Sequence, residues 1–172
     1  VRATLDDSRY NEYLVSVTTK LRKELRQTKP FASREEEIYL SIQLTAERLW
    51  WGVNETLKLV DLTHTQYNVL RILRGAGLVG ASCSEISERL VTKDSDITRL
   101  LYRLEARGLI SRGREMKDRR IIITRITDDG LQLLASLDKP IQQCHRRHLG
   151  HLGDRQLATL SKLLDAVLKK PK

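Results

Sequence analysis

Apolar positions recur at intervals of three and four along most of the chain, a pattern that predicts a mainly helical protein. Tyr10, Tyr13, Leu14, Val17, Leu21 and Leu25 form one apolar face over residues 9–27, and "TKPF" at 28–31 interrupts it because Pro30 has no amide hydrogen and restricts the residue before it. Ser33, with Glu36 three residues on, forms a capping box that opens a long helix to about residue 60, with Ile38, Ile42, Leu49, Val53 and Leu57 inward. Thr63 and Gln66 make a second box, with Leu62 placed to staple against Tyr67, and this helix runs through "QYNVLRILRG" to Gly75 or Gly77. A third box, Ser82 with Glu85, opens the short helix "SEISERL", residues 84–90, with Ile86 and Leu90 inward. The next helix, capped by Asp94 or Ser95, carries the stripe Ile97, Leu100, Leu101 and Leu104 and ends at Gly108.

After Gly108 the period changes. "LISRG" and "RRIIITRIT" are β-branched and flank the polar "REMKD", the pattern of two antiparallel strands joined by an exposed turn. Thr127 caps a further helix with Leu131, Leu134 and Ile141 inward, and Pro140 in its interior predicts a kink or a break. A last helix from about Asp154 carries Leu157, Leu160, Leu163, Leu164 and Val167, more apolar surface than one small lobe needs to cover, which predicts a homodimer. Two helices joined by the turn "VTKD", residues 91–94, and followed by a basic hairpin make a winged helix-turn-helix. The expected fold is therefore mainly α with a small β-hairpin: a winged helix-turn-helix lobe plus a helical dimerisation region.

Charge gives this fold a partner. In 172 residues, Lys and Arg outnumber Asp and Glu by 31 to 22, and a formal net charge of +9 favours a polyanion over an acidic small molecule. Burying the stripe of the second helix leaves Ser95, Asp96, Thr98, Arg99, Tyr102 and Arg103 outward, with guanidinium forks for guanine or phosphate and hydroxyls for phosphate oxygens. The hairpin residues Arg112, Arg114, Lys117, Arg119 and Arg120 can then reach the flanking minor groove or backbone of double-stranded DNA. Asp118, between Lys117 and Arg119, holds an arginine in position rather than facing phosphate. Arg120 either enters the minor groove or pairs with Asp118, and Tyr102 either touches a base or sugar or shields its helix.

Other chemistry is sparse. Trp50 and Trp51, with His64 and Tyr67 in the expected fold, could line a cavity for a flat aromatic ligand, although core or dimer packing also explains a tryptophan. Cys144, His145, His148 and His151 have metal-like spacing, but Arg146 and Arg147 oppose a cation and a solvated helix end is the simpler reading; no metal or other cofactor is expected. Cys83 is either an oxidation sensor beside a helix N-terminus or a small buried residue. Two distant cysteines, no stretch of membrane-spanning length and no signal-peptide core fit a cytoplasmic protein without a membrane partner. No Walker loop, GxGxxG, GxSxG or HExxH motif supports an enzyme. The rival classes are a DNA-binding regulator, a winged-helix module that binds proteins, and a metal- or redox-responsive regulator on the same fold.

The stretches "LTHTQYNVLRIL", "SEISERL", "DITRLLYRLEARGLI", "DRRIIITRITDDG" and "LGDRQLATLSKLLDAVL" resemble the MarR family of bacterial transcriptional regulators in order and spacing, from about Ser33 to Leu168. Asp118 and Arg120 match the Asp and second Arg of the family's wing signature, and "ITDDG" resembles its entry to the next helix. The resemblance implies an obligate homodimer built from the first and last helices, a pseudo-palindromic operator, and repression relieved by a small, often aromatic, ligand between lobe and dimer region. On that reading residues 33–172 form the family's domain, with dimerisation helices at 33–61 and 128–172 and the DNA-binding lobe at 62–127. Residues 1–32 are an N-terminal helical extension to which the resemblance assigns no role.

Overall fold

The computed structural model describes residues 20–92, 96–114 and 120–169. Tyr10, Tyr13, Leu14 and Val17 of the expected first helix lie outside the described residues, as do Asp94, Ser95, Lys117, Asp118 and Arg119. The chain divides into two compact units, residues 1–50 and 51–172, and the division falls inside a long helix.

In the first unit, α1 is described over residues 20–24 and Arg26 turns the chain with φ 51°. Helix α2, Arg34–Lys58, opens where the Glu36 amide donates to Ser33 Oγ at 3.1 Å. The Glu36 carboxylate accepts from the Ala32 amide at 2.6 Å rather than from Ser33, so the box closes one residue earlier than its usual form. Arg48 pairs with Glu24 at 2.5 Å and ties α2 to α1. Leu21 is buried, whereas Ile38 and Ile42, expected inward, are exposed together with Tyr39.

In the second unit, the end of α2 contributes Val53 and Leu57 to the core. Helix α3, His64–Ala76, has the full expected box: Thr63 accepts from the Gln66 amide at 3.2 Å and the Gln66 side chain accepts from the Thr63 amide at 2.9 Å. Gly77 ends it at φ 59°, a conformation that costs glycine little. A 3-10 turn, Gly77–Val79, leads to β1, Ala81–Ser82, a strand that the sequence pattern does not reveal. Helix α4, Cys83–Arg89, carries the third box, with Ile86 buried and Leu90 buried just beyond its end.

Helix α5 spans Ile97–Ala106. Its cap is Asp96, which accepts from the Arg99 amide at 3.2 Å, and not Asp94 or Ser95 as expected. Gly108, at φ 70°, then reverses the chain into β2, Ile110–Arg114, which pairs antiparallel with β3, Ile122–Ile126. Among the described residues the sheet has three strands in the order β1-β3-β2, so β3 is central.

Thr127 caps α6, Asp128–Leu149, by accepting from the Gly130 amide at 3.1 Å. The inward stripe of α6 is Gly130, Leu134, Leu137, Ile141 and Cys144; Leu131, expected inward, is exposed. Pro140 does not break the helix. It sits on the exposed face, where the carbonyl that its missing N–H leaves unpaired can be hydrated while the opposite face stays in the core. A 3-10 turn, Gly150–Leu152, connects to α7, Gly153–Leu168, none of whose residues is buried. Among the described residues no helix is long and apolar enough to cross a membrane.

One core holds the second unit together: Leu57, Leu70, Leu73, Ile86, Leu104 and Leu134 are all essentially inaccessible. The tightest backbone approach is at Gly130, where an added Cβ would lie 2.3 Å from the Leu109 carbonyl oxygen. Gly113 has open space around it. Gly130→Ala is therefore expected to destabilise the fold by about 1–3 kcal/mol through overpacking, and Gly113→Ala to stay within about 0.5 kcal/mol of the parent. Urea unfolding of both variants compares them directly.

Candidate nucleic-acid interface

The outward face of α5 follows from its inward one. Leu100, Leu101 and Leu104 are buried and Ile97 packs against the same core, so Thr98, Arg99, Tyr102 and Arg103 are exposed on the opposite side. Asp96 is exposed as well, but its carboxylate is held at the helix start by the Arg99 amide and acts as a cap. Arg99 and Arg103, one turn apart, border a cleft of about 300 Å³ whose other lining residues are Thr63, Thr65, Gln66, Asp96 and Leu100. Helix α3 begins at this cleft, so the positive end of its dipole adds to the two guanidinium groups.

The basic hairpin is formed by β2 and β3. In the ladder Arg114 lies opposite Ile122, and Arg120 enters the same end of the hairpin two residues earlier, so both exposed arginines stand at the mouth of the segment 115–119. Lys117, Arg119 and Asp118 belong to that segment outside the described residues, and the structure places none of them.

Arg112 differs from its expected neighbours. Its Nε and one terminal nitrogen donate to Glu105 Oε2 at 2.7 and 2.5 Å, with both side chains half-buried. The hydrogen bonds from Arg112 hold the Glu105 carboxyl below its usual pKa, against the opposing effect of burial. The pair is thus complete above the ordinary carboxylate range and is lost as pH falls through the lowered value. The sequence marks Glu105 only as one acid inside the basic run "RLLYRLEARGLISRGR".

Other arginines frame the site. Arg107 donates to the Val60 carbonyl at 2.9 Å and also to the Asp61 carbonyl, tying the end of α5 to the loop before α3. Arg125 donates to the Leu78 carbonyl at 2.9 Å. Arg74 forms a bidentate pair with Asp138, with contacts of 3.0 and 3.1 Å, and so joins α3 to α6.

The four residues expected around an aromatic ligand have different environments. Trp50 is exposed at the end of the first unit. Trp51 is exposed in the second unit, with Lys58 Nζ 5.4 Å from its ring centroid. His64 is half-buried, and burial lowers its pKa. Tyr67 belongs to the core, and burial raises the pKa of its hydroxyl. Cys144 is buried beneath Gly52, where an added Cβ would meet its Sγ at 3.1 Å and His148 Nε2 at 2.3 Å, which makes this a close helix-packing point. Among the described residues no group of three or more His, Cys, Asp or Glu side chains could hold a metal. Cys83 is partly buried and packs against the core.

The MarR family model matches residues 62–122, the stretch from Leu62 before α3 to the first residue of β3. The HTH-type transcriptional repressor IacR from Pseudomonas putida is 32% identical over 116 residues, which cover 67% of this chain and 68% of the relative. A MarR transcription factor from Planctomyces limnophilus is similar in structure, with a TM-score of 0.61 and 39% identity over 79% of this chain and 98% of that one. A cysteine-to-serine mutant of MarR from E. coli, complexed with operator DNA, aligns with a TM-score of 0.71 and 25% identity over 80% of this chain and 100% of that one. With the winged helix, its order of elements and these similarities together, the chain belongs to the MarR family of transcriptional regulators.

Proposed function

We propose that this chain is a homodimeric, sequence-specific DNA-binding repressor whose binding is relieved by a small aromatic ligand. The observation that carries the reading is the α5 face: Thr98, Arg99 and Arg103 stand exposed beside a cationic cleft while the other side of the same helix is sealed in the core. Such a face supplies bidentate donors for guanine edges and phosphates in a major groove. Arg114 and Arg120 at the wing mouth, with Lys117 and Arg119 beyond them, supply backbone and minor-groove charge. Arg112 is read as part of the frame of the site rather than of its contact surface, because its Nε and one terminal nitrogen already donate to Glu105. Asp96 likewise serves α5 as a cap.

Two-fold symmetry is supported by apolar surface that one chain leaves uncovered. Leu160, Leu163, Leu164, Val167 and Leu168 of α7 are exposed, and so, in the first unit, are Ile38, Tyr39 and Ile42 of α2. For the effector, Trp51 offers an exposed ring, and His64 a half-buried imidazole whose pKa burial lowers; Tyr67 would only underlie such a ligand from the core. A ligand of this kind acts through unequal affinity for DNA-competent and incompetent states.

Arg99→Ala or Arg103→Ala is expected to cost about 1–3 kcal/mol on the best duplex and, for a base-reading arginine, to relax preference at one base pair per half-site. Arg114→Ala or Arg120→Ala is expected to weaken all duplexes and reduce the salt slope by about one unit per protomer, hence about two per dimer. Titrations against salt on selected and scrambled duplexes separate these effects, and unchanged affinity and slope for Arg120→Ala would remove the wing from the interface. Light scattering at micromolar concentration is expected to give twice the chain mass. A panel of flat aromatic acids is expected to contain members that raise the melting temperature and release duplex in a gel shift, with both effects lost in Trp51→Ala.

A further inference from the structure

We propose that Glu105 and Arg112 form a positioning pair that fixes the wing to the recognition helix, so that both residues govern DNA binding without touching DNA. The inference rests on the DNA-binding reading for its consequence, and on geometry alone for the pair itself. Helix α5 ends at Ala106 and β2 begins at Ile110, so only Arg107, Gly108 and Leu109 separate the two elements proposed to enter adjacent grooves. The near end of β2 is fixed by its backbone and core: the Leu109 amide donates to the Leu104 carbonyl at 3.1 Å, and Leu109 and Ile110 are buried.

Beyond Ile110 that support ends. Side chains alternate along β2, and Ile110 and Arg112 share a face: Ile110 enters the core, while Arg112 is half-buried on Glu105. The two residues after Arg112 are Gly113, with nothing within 4 Å of an added Cβ, and exposed Arg114. The β2–β3 ladder holds the wing strands to each other but not to α5. The ion pair therefore ties wing to helix beyond the buried end of β2. Two charge-assisted donors converging on one carboxylate oxygen at 2.7 and 2.5 Å define an angle as well as a distance.

Electrostatics makes the pair testable, because Glu105 has the wrong sign for a DNA-binding surface. It lies on the same helix as Arg99 and Arg103, and a bystander carboxylate there only repels phosphate. Replacing a bystander by glutamine should tighten every duplex. Replacing a positioning residue should weaken the selected duplex, whose two grooves must be met at once, while the scrambled duplex is held as well as before or better. Arg112 gives the converse contrast: a phosphate contact contributes to the salt slope, whereas a guanidinium already spent on Glu105 does not.

The experiment measures affinity against salt for the full chain and for Glu105→Gln, Arg112→Ala, Arg112→Lys and the exchange Glu105→Arg with Arg112→Glu, on one selected and one scrambled duplex. Glu105→Gln and Arg112→Ala are expected to lose about threefold to tenfold on the selected duplex, with unchanged salt slope for Arg112→Ala and no loss on the scrambled duplex. The exchanged pair is expected to recover at least half of the loss in logarithmic terms, and Arg112→Lys, which lacks the fork, less. Tighter binding of the selected duplex by Glu105→Gln, or a slope reduced by about one unit per protomer in Arg112→Ala, overturns the proposal. Amide hydrogen exchange without DNA provides an independent readout: Glu105→Gln is expected to speed exchange at residues 111–114 while the core helices keep their protection, and unchanged exchange there also overturns it. Should the parent chain bind no duplex from a random pool, the DNA reading fails, and the exchange measurement alone still decides whether the pair holds the wing.

Discussion

Burial of Leu100, Leu101 and Leu104 in a common core with Leu70, Leu73 and Ile86 is the constraint on which the rest of this structure depends. A helix of ten residues is too short to hold its shape in water by propensity alone, so α5 exists because one of its faces is removed from solvent. The same act fixes its rotation about its own axis. Since side chains at i, i+3 and i+4 share a face, sealing the leucines leaves Arg99 and Arg103 exposed, and no separate interaction is required to aim them. The core thus determines the chemistry of the opposite surface.

A strongly cationic chain must also avoid placing its charges where they repel or wander. Here several arginines are tethered: Arg107 to the carbonyls of Val60 and Asp61, Arg125 to that of Leu78, Arg74 to Asp138, and Arg112 to Glu105. The carbonyl acceptors occupy loop or turn segments just before α3 and β1, where backbone groups would otherwise depend on water. Arginine suits this role because its planar fork satisfies two acceptors with one side chain. The excess of positive charge read from composition therefore divides into two populations, one that frames the lobe and one exposed on α5 and at the wing mouth.

The helical architecture was legible because its signals are local. The boxes at Thr63 with Gln66 and at Ser82 with Glu85, and the cap at Thr127, each involve residues three apart and form as their spacing implies. Signals that depend on distant chain segments were not legible. Strand β1 is two residues long and is defined by pairing with Thr124 and Ile123 of β3, some forty positions away. The α6 stripe begins at Gly130 rather than Leu131 because the Leu109 carbonyl allows no side chain there, and the hydropathy of Leu131 carries no trace of that contact. Asp96 takes the cap expected of Asp94 or Ser95 because several residues in that segment can cap and only the position of the buried stripe selects among them. Of the site, the residue types on α5 and the arginines of the wing were readable, whereas the Glu105–Arg112 pair required the turn at Gly108 to bring its members together.

The same distinction between local and tertiary ties bears on how a signal could travel within the second unit. The Arg74–Asp138 pair joins the last turn of α3 to the middle of α6, and Leu134, Leu137 and Ile141 enter the core on either side of it in sequence. Helix α6 runs 22 residues without interruption at Pro140. In the proposed homodimeric, ligand-relieved reading, with chains meeting through α7, α6 links that surface to the lobe, and the Arg74–Asp138 pair ties α3 to it. In that reading, a ligand that shifts this attachment changes the spacing of two recognition helices without altering either helix. Because an operator offers its major grooves at a set interval, displacement of the lobes is enough to discriminate between states, provided the ligand binds one arrangement more tightly than the other.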